Sequence, residues 1–437
     1  MKRIMTIGAM AVALLTATGC SETETDVVID SGDGDQVALG ITPNLKVDAG
    51  TKATTKSVVS GEAITYDINK YGDVDYAPGL GALITNKDVS GWYTPDVSEY
   101  TGHHVWYIGS EKGAGWISIK EKKDTYKLTK EVPYYLTDVI GKVYAYYPYD
   151  ATVTDGLASV NRESDLKIPT EIQITGEIVA TINNAKKYWK TNAWVATDKG
   201  NQGPHSLAKE KDYLYFAGEA GRYVNNGRTP GETPFKPEDE PDNNNAINPG
   251  YKINLDMKHA MAMVSFRVYD GGKLSDKDVK FKKFRIKNTD ASSGKPFKMG
   301  GGYMALADGT ITDKSLSAGD ISRTVTDYIL MRLVDDNGTE GEHAFKANGT
   351  TVNAKIVSKS VSAIVYPTTF SENDMEVIVT LQVGTDPEVE YPVILPGSTW
   401  EANNNYIYTL SAGRNKLTVA NVSVTTWSDE EQDELPL

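Results

Sequence analysis

One cysteine in 437 residues, Cys20, excludes an intramolecular disulfide, so this fold rests on apolar burial and hydrogen bonds. Phenylalanine is also scarce. Only 8 Phe stand against 25 Tyr, with many Thr and Val, a composition suited to half-wet sheets rather than helix bundles. Basic residues are outnumbered, 45 Lys plus Arg against 59 Asp plus Glu, and a net charge of −14 would repel nucleic acid. Beyond Cys20 no segment has the length and apolarity of a transmembrane helix.

What is present begins with MKRIMTIGAMAVALLTATGC. Lys2 and Arg3 form a charged start, and Ile7 to Leu15 an apolar run too short to span a bilayer. Small residues Ala17, Thr18 and Gly19 then precede Cys20. This pattern resembles a lipoprotein signal, which implies cleavage between Gly19 and Cys20 and a diacylglycerol plus an acyl chain such as palmitate on Cys20. Each buried methylene of those chains contributes about 0.8 kcal/mol to membrane attachment. Residues 20–36 are acidic and free of aromatics, which reads as a flexible stalk. Glu22 and Glu24 resemble the acidic residues that follow the cysteine in surface-exported lipoproteins of Bacteroides-type bacteria.

The chain is long for one core, since about 400 residues follow the leader, and two or three domains are expected. In VALGITPNLKV, residues 37–47, Val37, Leu39 and Ile41 alternate before Pro43, as in an edge strand. The basic, unpatterned stretch after it, with Lys52 and Lys56, reads as an exposed loop. KVYAYYPYD puts Val143, Ala145 and Tyr147 on one face of a strand and Tyr144 and Tyr146 on the other. HHVWYIGS, GWISIK and EIQITGEIVATI are similar. The spacing predicts a mainly β region over 37–217, a Pro-rich linker or insertion over 218–249, and a second β region over 250–437.

In the second region a change of phase at HAMAM predicts a bulge or bend between the alternations of 253–257 and 264–268. SAIVYPTTF, MEVIVTLQVG, EYPVILPG and YIYTLSAG are short, evenly spaced strands, as in a β-sandwich or barrel. At the end, Leu417 and Val419 share one parity and Val422 and Val424 the other, which predicts two short strands broken near Ala420–Asn421. Trp427 closes the apolar part, and an acidic tail follows.

Constellations that would carry chemistry are weak. His103 and His104 point to opposite faces of a strand and cannot share a metal from it. His259 reads as a core-edge histidine bonded to backbone, and no serine sits in a G-x-S-x-G elbow. KMGGGYMALADG lacks a Walker lysine and reads as a turn; Asp335–Gly338 departs from a calcium loop in the position of its glycine. No enzyme, metal site or cofactor is expected.

Five landmarks in order resemble the fimbrillin family, the structural subunits of type V pili in Bacteroides-type bacteria. They are the leader through Cys20, VYAYYP at 143–148, DYLYFAG at 212–218, KHAMAMVSFRVY at 258–269, and WEANNNYIYTL followed by VANVSVTTW up to Trp427. The resemblance implies two tandem transthyretin-like β-sandwich domains, surface exposure at the outer membrane and then in a fimbrium, and a role in adhesion. It also implies maturation. A trypsin-like surface protease cuts after a basic residue, here Lys52 or Lys56, and removes the first strand, 37–47. The extension of a neighbouring subunit, residues 416–437 here, then donates a strand to the groove through Leu417, Val419, Val422, Val424 and Trp427. A chain with both a cut loop and a donor resembles the stalk. Host or bacterial receptors would be its remaining partners. The competing reading is a monomeric surface lipoprotein that binds glycan or host protein through Trp92, Tyr93, Trp106 and Trp116.

Overall fold

The computed structural model describes residues 37–41, 46–47, 66–67, 80–93, 104–109, 115–118, 122–123, 127–128, 134–149, 160–179, 211–219, 222–227, 249–253, 255–270, 277–290, 294–312, 314–315, 319–326, 328–334, 344–346, 361–413 and 416–426. Over these the chain is mainly β, as its composition and alternation predict. Among them the helical element is one 3-10 turn at Glu163–Asp165, and no helix is long and apolar enough to cross a membrane.

A nine-stranded N-terminal sheet is built around Gly141–Tyr147, which pairs antiparallel with Leu80–Asn86 on one side and with Leu214–Phe216 on the other. Beyond Leu214–Phe216 come Asp256–His259 and, at the edge, Lys46–Val47. The alternation read in KVYAYYPYD holds. Val143 and Ala145 face one core with Leu80, Ala82 and Ile84, while Tyr144 and Tyr146 face another with Leu83.

The C-terminal strands form two facing sheets. One runs Thr175–Val179, Ile321–Thr326, Val279–Asn288, Met375–Val383, Val389–Ile394. The other carries Ala262–Asp270, Asn404–Ala412 and Leu417–Thr426 in that order, with Val361–Val365 on the far side of Ala262–Asp270. Alternating apolar residues from both meet in an aromatic centre, where Phe266 lies 5.2 Å from Phe284 and 5.7 Å from Tyr408. Trp400 packs edge-on against Phe370 at 4.9 Å, and its indole N–H donates to the Tyr408 hydroxyl at 2.9 Å. Aromatic burial on this scale contributes strongly to a core without disulfides.

Chain order and sheet membership diverge in two places. The phase change at HAMAM is where the chain leaves one sheet for another: Asp256–His259 belongs to the N-terminal sheet, Ala260 and Met261 turn, and Ala262–Asp270 enters the C-terminal sandwich. Conversely, Lys167–Thr170 and Thr175–Val179, although early in the chain, pair with Gly302–Ala305 and Ile321–Thr326. The glycine-rich 298–309 stretch is the hairpin between Gly302–Ala305 and Ile311–Thr312, consistent with its reading as a turn.

Candidate functional site

The described residues of the segment 37–47 form three two-residue strands rather than one. Val37–Ala38 pairs antiparallel with Tyr135–Leu136, Gly40–Ile41 parallel with Lys252–Ile253, and Lys46–Val47 parallel with Asp256–Met257. Switching partners between two walls divides the segment. Between the switches sits Leu39, 1% exposed, whose N–H donates to the Tyr134 carbonyl at 2.7 Å; the next N–H, of Gly40, donates to the Tyr251 carbonyl at 2.8 Å. The segment is therefore held in a slot with backbone on both sides. Its floor is the core that Val143 and Ala145 face, where Leu39 joins Tyr134, Leu136, Leu214, Ile253 and Leu255.

Burying one leucine contributes about 1.5–3 kcal/mol. Leu39 was legible in sequence as part of an edge-strand alternation, but the wall residues did not stand out, because the slot is made by strands far apart in the chain. Burial also pushes the Tyr134 hydroxyl pKa up, and this hydroxyl has no hydrogen-bond partner among the described residues.

The second surface is the last strand. The expected pair of short strands is one strand, Leu417–Thr426, antiparallel to Asn404–Ala412. A register shift opposite Thr409 and Leu410 leaves Ala420 as an extra residue, a β-bulge. The bulge is what reconciles the two parities. Leu417 stands opposite Ala412, Val419 opposite Leu410, Val422 opposite Tyr408 and Val424 opposite Tyr406, so the four apolar residues follow the partner strand's core-facing row. Burial fades along the strand, from Leu417 at 5% exposed through half-buried Val419 and Val422 to Val424 at 55%. Among the described strands it is an edge of its sheet, adjacent to the Val389–Ile394 edge of the facing sheet.

Other candidates fall differently. His259, read from its sequence context as bonded to backbone, meets a carboxylate: its Nδ1 lies 2.9 Å from Oδ2 of Asp212, both side chains fully buried. An aspartate just ahead of an aromatic strand was the signal for it. Tyr93 is buried, with its hydroxyl accepting from the Thr137 N–H, and Trp92 is half-buried, so these two offer no open platform to a sugar ring. Among the described residues no group of three His, Cys, Asp or Glu side chains is placed to hold a metal. Gly19, Cys20, Lys52, Lys56, His103, Asp335 and Trp427 lie outside the described residues, as do the side chains of His104, Trp106 and Trp116.

The geometry is thus that of a β protein with an inserted first segment and an apolar last strand. Over residues 240–427 the chain matches the family model for fimbrillin-like proteins. This region is similar to fimbrillin-like proteins. That family is one of fimbrial structural subunits rather than of enzymes. No curated protein matches the chain. Among solved structures, a fimbrial protein from Bacteroides vulgatus aligns at 12% identity over 80% of this chain and 93% of its own, with a TM-score of 0.43. The tip fimbrial protein Mfa3 from Porphyromonas gingivalis, truncated at its C-terminus, aligns at 9% identity over 80% of this chain and 93% of its own, with a TM-score of 0.31.

Proposed function

We propose that this fimbrillin-like chain is a stalk subunit of a pilus, exported as an acylated precursor through Cys20 and polymerised by strand exchange. In this reading a surface protease cuts after Lys52 or Lys56, residues 37–47 leave their slot, and the C-terminal strand of a neighbour enters it. The observation that carries the proposal is the slot. Leu39 is almost fully buried, yet the segment around it is held by three two-residue pairings, so one cut uncovers a ready apolar floor with two hydrogen-bonding walls. Four valine- or leucine-sized side chains entering such a groove would contribute about 6–12 kcal/mol before ordering costs. Acylation anchors the precursor at the outer membrane; the cut removes lipid and first segment together.

Mild trypsin treatment of the purified precursor tests this. Expected are an N-terminus at Ala53 or Ser57 by mass spectrometry and a ladder of heat-sensitive multimers. Trimmed chains that stay monomeric at high concentration, with residues 416–437 intact, would sink the proposal.

A further inference from the structure

Between His259 of the N-terminal sheet and Ala262 of the C-terminal sandwich stand two residues, Ala260 and Met261. A two-residue crossing on its own is a hinge. The structure blocks it with residues 160–179, which run from the N-terminal half of the chain across to the sandwich. On the sandwich side, Lys167–Thr170 pairs antiparallel with Gly302–Ala305, and Thr175–Val179 adds a parallel edge strand to Ile321–Thr326. Between these two strands, fully buried Arg323 donates through Nη2 to the Gln173 carbonyl at 3.0 Å and through Nη1 to the Ile174 carbonyl at 3.2 Å. The Ile174 carbonyl also accepts the Ser322 N–H at 2.8 Å, and the Thr170 hydroxyl meets that of Tyr366 at 3.2 Å.

The same segment grips the N-terminal sheet. The Glu171 N–H donates to the Tyr213 hydroxyl at 2.9 Å, and the Glu171 carboxylate meets the Lys211 ammonium at 2.5 Å. Glu163 accepts from the Tyr144 hydroxyl at 2.5 Å and from Lys142 at 3.1 Å. Leu166, Ile168, Ile172 and Ile178 extend one continuous core that holds Tyr144 and Tyr213 on one side and Phe281 and Tyr366 on the other. The fit is close at its far side too. Gly309, at φ +74°, lies under the Tyr215 ring, where an added Cβ would stand 2.2 Å from the ring carbons.

We infer that residues 160–179 are a mechanical brace, pinned by Arg323, that locks the N-terminal sheet and the C-terminal sandwich into one stiff unit and carries load between them. A buried guanidinium held by carbonyls that belong to the brace is costly to expose, so the brace resists being pulled away. A peripheral strand without such a pin would fray first. The inference gives a pilus subunit a means to transmit tension, and it holds whichever strand the subunits exchange.

Spin labels at Asp88→Cys and Glu388→Cys, two exposed turns on opposite bodies, in the full chain with Cys20→Ser, test it by the inter-label distance distribution. A single narrow peak is expected for the braced chain. Arg323→Met should add a second, broad population and should speed amide exchange across Thr175–Val179, while the emission of buried Trp400 stays native. If Arg323→Met does not fold, Ile178→Ala trims the brace and keeps the guanidinium, and the same broadening is expected. A broad distribution in the chain with Arg323 and Ile178 intact overturns the inference, and so does an unchanged narrow peak in a folded brace variant. Neither outcome touches strand exchange, because trypsin-induced multimers are read separately.

Discussion

Asp212 and His259 meet where the N-terminal sheet hands the chain to the sandwich, with carboxylate Oδ2 2.9 Å from imidazole Nδ1 and no exposure of either side chain. Leu214 and His259 are cross-strand partners, so the pair closes the end of that ladder, one residue before the Ala260 N–H donates to the Tyr213 carbonyl at 2.8 Å. Breaking a buried pair from one side strands the other group without its partner. Asp212→Ala is therefore expected to cost about 3–5 kcal/mol, read as a lower denaturation midpoint. The double change Asp212→Leu with His259→Phe should recover part of it, since neither member of the pair is then left facing a missing partner. Equal losses in the single and double variants would show that the pair matters only as volume.

Two buried tyrosines should respond oppositely to removal of their hydroxyls. Tyr134 has a buried hydroxyl with no hydrogen-bond partner among the described residues, so Tyr134→Phe should hold or raise stability by about 1 kcal/mol. Tyr408 accepts the indole N–H of Trp400, so Tyr408→Phe leaves that buried donor unpaired and should cost about 1–3 kcal/mol. Burial also pushes the Tyr408 pKa up to about 12 from 10.0. A raised folded pKa means that its contribution is complete below pH 10.0 and is lost as pH climbs to about 12. Tyr408→Phe should flatten that part of the alkaline limb in a stability-against-pH series.

Glu163 works at the other end of the scale. The Tyr144 hydroxyl first, and then the Lys142 ammonium, hold its carboxyl below the usual 4.5. A lowered folded pKa stabilises the fold above the unfolded value, and that contribution disappears as pH falls through the folded one. The stability gap between the natural chain and Glu163→Gln should be open at neutral pH and close as pH falls from 4.5 through the lowered folded value. A gap that is constant with pH would place the effect in packing instead.

The parity break at Ala420 marks how far the sequence could be read. Strands such as Gly141–Tyr147 and Met375–Val383 were visible because apolar residues recur at every second position on a face. The change of parity between Val419 and Val422 was visible as well, but a strand end and a bulge give the same pattern; only the partner row Ala412, Leu410, Tyr408, Tyr406 distinguishes them. Sheet membership was less legible. Thr175–Val179 joins a sheet whose other strands begin only at Val279, and such pairing leaves no mark in local periodicity. The slot was legible only as an edge strand with Pro43, since its walls at Tyr134 and Tyr251 are supplied by distant segments. Deleting Ala420 tests the bulge. The deletion should close the bulge and leave Leu417, Val419, Val422 and Val424 in one alternating row opposite the same partners, nearly neutral for stability, whereas removing Ala420 and Asn421 together should turn one of the two apolar pairs out of the core row and cost about 2–4 kcal/mol.

The gradient of burial along Leu417–Thr426 decides which substitution separates folding from assembly. Val422 packs against the subunit's own core, so Val422→Asp would weaken the monomer together with any polymer. Val424 is 55% exposed at the outer end of the same row, and an aspartate there should change monomer stability by no more than about 0.5 kcal/mol. In a neighbour's groove the same side chain would be enclosed, and a buried, unpaired carboxylate there costs several kcal/mol. Val424→Asp is therefore expected to fold normally, to be trimmed by trypsin normally, and to form few or no multimers. Val424→Ile, which keeps the apolar surface, should polymerise like the natural chain. Val424→Asp chains that assemble as well as the natural protein would show that this strand stays on its own sheet and that another segment fills the slot.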